Sequence, residues 1–154
     1  MKIMTKVSTW AALFLATSIS LSAAPAFAHF PKDFTLFGGL TTHQVACSSL
    51  CTEGPLTGGL EGTLDFTMAS MTPTETPNVM TYVGTNTITT RHGTLTGTDH
   101  GIWNLATGEF VDYMTFSSGT GRYAGATGSF SIAGTFDPTT GTGSSHYQAV
   151  LHLQ

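Results

Sequence analysis

Beyond its first thirty or so residues, the chain alternates apolar and polar positions one for one. That is the period of a half-buried β-strand, and no segment carries a convincing helical period. In "TGSFSIAGTF" Phe130, Ile132, Gly134 and Phe136 fall on one face, with Ser129, Ser131, Ala133 and Thr135 on the other. "GEFVDYMTF" sets Phe110, Asp112, Met114 and Phe116 opposite Val111, Tyr113 and Thr115. Similar short strands read at 33–40, 59–69, 79–90, 94–104 and 145–153. Turn-forming residues join them: Pro73 and Pro77, Arg91-His92-Gly93, Thr107-Gly108, and the run from Asp137 to Gly141. Connections this short imply antiparallel neighbours, since a parallel return needs a crossover of a dozen or more residues. The pattern predicts an all-β meander of about seven or eight strands, either a closed up-and-down β-barrel or a β-sandwich. Closure is favoured because it removes aggregation-prone edges. Glycines within the strand patterns, Gly62, Gly84, Gly97 and Gly134, suit the bulges and tight corners of a barrel.

The stretch "SSGTGRYAGATGSF" packs Gly119, Gly121, Gly125 and Gly128 around Arg122 and Tyr123. A phosphate-binding loop of the Walker type needs Lys-Ser or Lys-Thr after its last glycine, and a dinucleotide fingerprint needs a helix there. Here the glycines run into alternating strand residues with no lysine. The stretch reads as a sheet corner, with Arg122 and Tyr123 capping the barrel and glycines supplying backbone angles closed to other residues.

The first segment changes the domain picture. Residues 1–28 have the three parts of a secretory signal: Lys2 and Lys6, an apolar core from Trp10 to Leu21, and the small-x-small site Ala26-Phe27-Ala28. The apolar core is interrupted by Thr17, Ser18 and Ser20 and is shorter than the roughly 20 apolar residues that span a bilayer. The expectation is a cleaved signal, no membrane insertion thereafter, and one secreted or periplasmic domain over 29–154. Without the signal, Lys32, Arg91 and Arg122 face nine acids, a formal charge of −6. That is the wrong sign for a nucleic-acid partner, whose phosphates need several Lys and Arg. Charged residues are only 9% of the chain, so Thr and Ser hydroxyls must carry solubility.

Several side chains are candidates for chemistry. "HQVACSSLC" offers His43, Cys47 and Cys51 at four-residue spacing, a possible metal clip if helical. The competing reading is a Cys47–Cys51 disulfide, as expected of two thiols in an oxidising compartment, contributing about 2 kcal/mol for so short a loop. Cleavage after Ala28 would leave His29 at the terminus, where amine and imidazole together suit copper; no cofactor is otherwise indicated. Asp99 and His100 are adjacent, so alternation sends them to opposite faces and they cannot form a simple catalytic couple. Glu61 and Asp65 share a face opposite Leu60, Leu64, Phe66 and Met68. They are either a solvated outer face or, if that face turns inward, paired acids in a cavity with shifted pKa values. There is no Gly-x-Ser-x-Gly elbow and no His-Glu-x-x-His motif.

"SGTGRYAGATGSF", preceded by "HGTLTG" and followed by "AGTFDPTTGTG", resembles the hairpin region of the allene oxide cyclase and dirigent-like barrel superfamily, in particular its secreted bacterial members. The resemblance covers about residues 59–154 and is strongest over 118–136. It implies an eight-stranded antiparallel barrel; plant members are cyclases or proteins that steer phenolic radical coupling inside the barrel. The matched motif is structural and transfers no catalytic position. Three functions follow as expectations. The first is a secreted barrel binding a small, largely apolar ligand. The second is a cyclase or isomerase using Glu61, Asp65, Asp99 or His100 as acid or base. The third is a filled barrel acting as a structural or adhesive surface module.

Overall fold

The computed structural model describes residues 32–154; residues 1–28, where a secretory signal is expected, and His29 lie outside the described residues. Eight strands follow one another in chain order. They are β1 (Lys32–Val45), β2 (Cys51–Gly58), β3 (Gly62–Pro73), β4 (Val79–Thr90), β5 (Gly93–Asn104), β6 (Glu109–Gly119), β7 (Thr127–Asp137) and β8 (Thr142–Leu153). Each pairs antiparallel with the next, and β1 returns to β8 from Lys32↔Leu153 through His43↔Thr142. The protein is a closed up-and-down barrel, and the sandwich alternative is excluded.

Seven strands coincide with alternating segments, and β2 does not. Its sequence, "CTEGPLTG", carries Pro55, which has no N–H to give a ladder and so argues against a central strand. The barrel tolerates it because the β1–β2 ladder breaks there: pairing runs from Gly38↔Gly58 to Leu40↔Leu56 and resumes at His43↔Glu53. At the break the β1 backbone presses onto Gly54, where a β-carbon would stand 1.8 Å from the Thr41 carbonyl oxygen. Between β1 and β2, Cys47 and Cys51 meet in a disulfide. His43 lies on an extended strand and pairs with Glu53 at 3.2 Å, so the helical metal-clip geometry does not form.

The two ends of the barrel are built differently. One end is closed by the β2–β3, β4–β5 and β6–β7 connections. Beneath them Leu56, Leu60, Leu95, Met114, Phe130 and Leu151 form a packed core joined by Tyr123 and Ala126 of the glycine-rich corner. That corner is a single 3-10 turn over Gly121–Tyr123. Gly121 has φ +58°, and a β-carbon there would stand 2.4 Å from the His92 carbonyl oxygen, so the corner needs glycine on both counts. Tyr123 is buried while Arg122 is exposed. Tyr147 locks the same end: its hydroxyl accepts from the Leu60 N–H at 2.8 Å and donates to the Thr57 carbonyl at 2.9 Å. Its ring stacks on Phe130 with centroids 4.9 Å apart.

Candidate functional site

The opposite end is hollow, and inward-facing glycines explain how. On β4 and β5 the inward positions include Gly84, Gly97 and Gly101, and large neighbours lie over the space each leaves. A β-carbon on Gly101 would stand 2.0 Å from the Tyr82 ring, and one on Gly84 would stand 2.3 Å from the Phe66 ring. Tyr82, Gly101 and Asp112 are register partners across β4, β5 and β6, so the Tyr82 ring crosses the bare glycine and its hydroxyl lies beside Asp112. Phe66 and Tyr82 meet edge to face at 5.9 Å, as do Trp103 and Phe136 at 5.7 Å. These rings wall a cavity of about 60 Å³, well above the roughly 10–15 Å³ that admits a water. Leu64, Met68 and Phe110 complete its apolar wall, and Asn86, Asp112 and the Trp103 indole give it polar points.

Burial sets the electrostatics here. Asp99 is 0% exposed and Asp112 8% exposed. Burial pushes the Asp112 carboxyl up to about 8, with the nearby Asp99 charge adding to the shift. Burial also raises Asp99, opposed by the hydrogen bonds it receives. Asn86 donates one of those bonds to Asp99 Oδ2. Tyr82 is raised by burial and by the two acids. Near neutral pH the acid pair therefore retains a proton. Four buried polar atoms here lack a protein partner: Asn86 Oδ1, Asp99 Oδ1, Asp112 Oδ1 and Trp103 Nε1.

The candidates from the sequence separate cleanly. Asp99 points inward and His100 outward, as alternation requires. Glu61 and Asp65 are both exposed, and Asp65 pairs in register with Glu53 on the outer wall, so neither reaches the cavity. Tyr82, Asn86 and Asp112 were not among the candidates. Asp112 had left a signal: an acid in the apolar register of Phe110, Met114 and Phe116. Among the described residues no three His, Cys, Asp or Glu side chains gather as a metal site.

The Cys47–Cys51 loop sits at the rim of this end. The Leu50 carbonyl accepts from the Met68 N–H at 2.9 Å and Ser49 Oγ donates to the Met68 carbonyl at 2.8 Å, which seats the Leu50 side chain on the cavity wall. On the outside, Ile102, Val111 and Tyr113 are about half exposed on adjoining strands. No protein-family model, curated protein or solved structure matches the chain.

Proposed function

We propose that the protein is an exported barrel that binds a small, largely apolar molecule in its hollow end. The observation that carries this reading is the cavity itself: aromatic and aliphatic walls with a few unpartnered polar atoms at one side, the usual composition of a small-molecule site. A barrel serving only as a filled structural module would gain stability by packing this end as it packs the other. Kinship with the allene oxide cyclase and dirigent-like superfamily, whose resemblance implies an eight-stranded antiparallel barrel, is kept as part of the proposal.

The test is methyl NMR of the mature protein titrated with toluene and with benzyl alcohol. Methyl signals of Leu50, Leu64, Met68 and Ile132 should shift saturably, while those of Leu56 and Leu95 at the closed end stay in place. Absence of any saturable shift with either compound would remove the binding reading. A second reading, an isomerase or cyclase, is favoured by one observation: Asp112 lines the cavity and holds a proton near neutral pH, as a general acid must. A ligand recovered from the native host and converted by wild type but not by Asp112→Asn would select the enzyme.

A further inference from the structure

Charge and hydrogen-bond inventory narrow the ligand class. The ionisable groups in and behind the hollow end are Asp99, Asp112 and Tyr82, with no basic side chain among them. Lys32, Arg91 and Arg122 are all exposed. Of the unpartnered buried atoms, Asn86 Oδ1 is an acceptor and Trp103 Nε1 a donor, while Asp99 Oδ1 and Asp112 Oδ1 become acceptors once the acid pair loses the proton it holds. Asn86 and Asp112 are 1% and 8% exposed and both line the cavity, so their oxygens are presented to whatever fills it. A hydrocarbon would meet none of them, and a carboxylic acid would add acceptors and repulsive charge. A hydroxyl has one hydrogen to give, whereas a primary ammonium has three and carries the complementary charge. Phe66, Tyr82, Trp103 and Phe110 around the same cavity add ring faces that attract a cation.

We propose that the hollow end binds a small apolar primary amine as its ammonium, paired with ionised Asp112 and donating to Asn86 Oδ1, with the Asp99 carboxyl behind them. The inference rests on the cavity being a binding site and deepens that reading. Binding moves one proton: Asp112 in its acid form releases its proton to solvent, the ammonium keeps all its N–H bonds, and the new carboxylate charge is balanced by the ligand. The groups facing Asp112 are Tyr82 and Asn86 from β4 and Asp99 from β5. Ile132 follows on β7, and Tyr147 on β8 has its hydroxyl already bonded to Leu60 and Thr57. His100 stands on the outer face of β5 next to Asp99. None of these supplies a compensating cation inside the barrel, so amine affinity should rise with pH up to about 8, where Asp112 is ionised before binding.

The test is calorimetry of the mature protein at pH 7 with isopentylamine and with isopentyl alcohol, which share a hydrocarbon tail. Repeating it in two buffers of different ionisation enthalpy gives the protons released. The expected result is at least tenfold tighter binding of the amine, with release of more than half a proton per amine and none per alcohol. Asp112→Asn should remove the amine's advantage over the alcohol and abolish the amine-linked proton release, with a cooperative thermal melt showing that the variant is folded. Proton release from wild type carries the same decision should that variant fail to fold. Equal affinity of amine and alcohol without proton release would overturn the amine assignment and leave the binding site standing. Failure of both compounds to bind would overturn the site and the amine assignment together.

Discussion

At the closed end of the barrel, Phe130 is fully buried against Phe116 and Tyr147. At the hollow end Phe110 is only half-buried and the wall beside it contains Gly84 and Gly101, with two acids set among the aromatics. The same strands and the same alternation build both ends. Two tyrosines make the contrast specific, because each lies across a glycine of the neighbouring strand: Tyr147 across Gly38, Tyr82 across Gly101. The Tyr147 hydroxyl is met by backbone on both sides, whereas that of Tyr82 lies beside a buried carboxyl with a free oxygen. Alternation decides which residues face inward; size and polarity at those positions decide whether the interior becomes core or cavity.

The contrast can be tested by unequal responses to substitution. The largest effect is expected for Phe130→Ala, a loss of about 3–5 kcal/mol in chemical denaturation, against about 1–2 kcal/mol for Phe110→Ala. Equal losses would mean that the two ends are packed alike. Next, Asp112→Asn should stabilise the barrel by about 1–3 kcal/mol at pH 8. The sign follows from linkage. A carboxyl raised to about 8 in the folded state binds more protons than in the unfolded chain, so its penalty is absent below about pH 4 and grows as pH rises to 8. Melting curves of wild type and variant should therefore converge near pH 4; a gain that persists there would assign it to another cause. Opening the rim disulfide with Cys47→Ser and Cys51→Ser together should cost about 2 kcal/mol. It should also broaden the Leu50 and Met68 methyl signals and leave the closed-end methyls sharp. Least of all, Asp65→Asn on the wet outer wall should change stability by less than about 0.5 kcal/mol and leave ligand binding unaltered.

Much of the barrel was legible because period-two alternation is unambiguous in strands such as β6 and β7, where Phe110 through Phe116 and Phe130 through Phe136 keep register without interruption. The second strand escaped because Gly54 and Pro55 replace the alternating pair at its centre, and because the cysteines beside it suggested other structures. The site was half legible. Asp99 was singled out, but for its adjacency to His100 and not for its inward register. Asp112 stood in plain view on an apolar face, and an acid at such a position is the signal that points to a buried, perturbed group. Tyr82 and Asn86 could not be read, since their roles arise from pairing: Tyr82 matters because Gly101 lies opposite it, and Asn86 because Asp99 lies within reach. Glu61 and Asp65 drew notice by sharing a face, yet nothing in their spacing says which face is wet.

The seam between β1 and β8 has a consequence for how the molecule is made. Every other ladder joins strands that are neighbours in sequence, but β1 must find a partner about a hundred residues away, at the far end of the chain. Until the last strand leaves the ribosome, β1 is held only by β2, whose ladder to it is broken at Gly54 and Pro55. The barrel thus cannot close before its eighth strand is available. A chain shortened by the last strand should remain open along both β1 and β7, and the full chain should fold on the slow scale of non-local β-proteins, milliseconds to seconds, with closure as its final step.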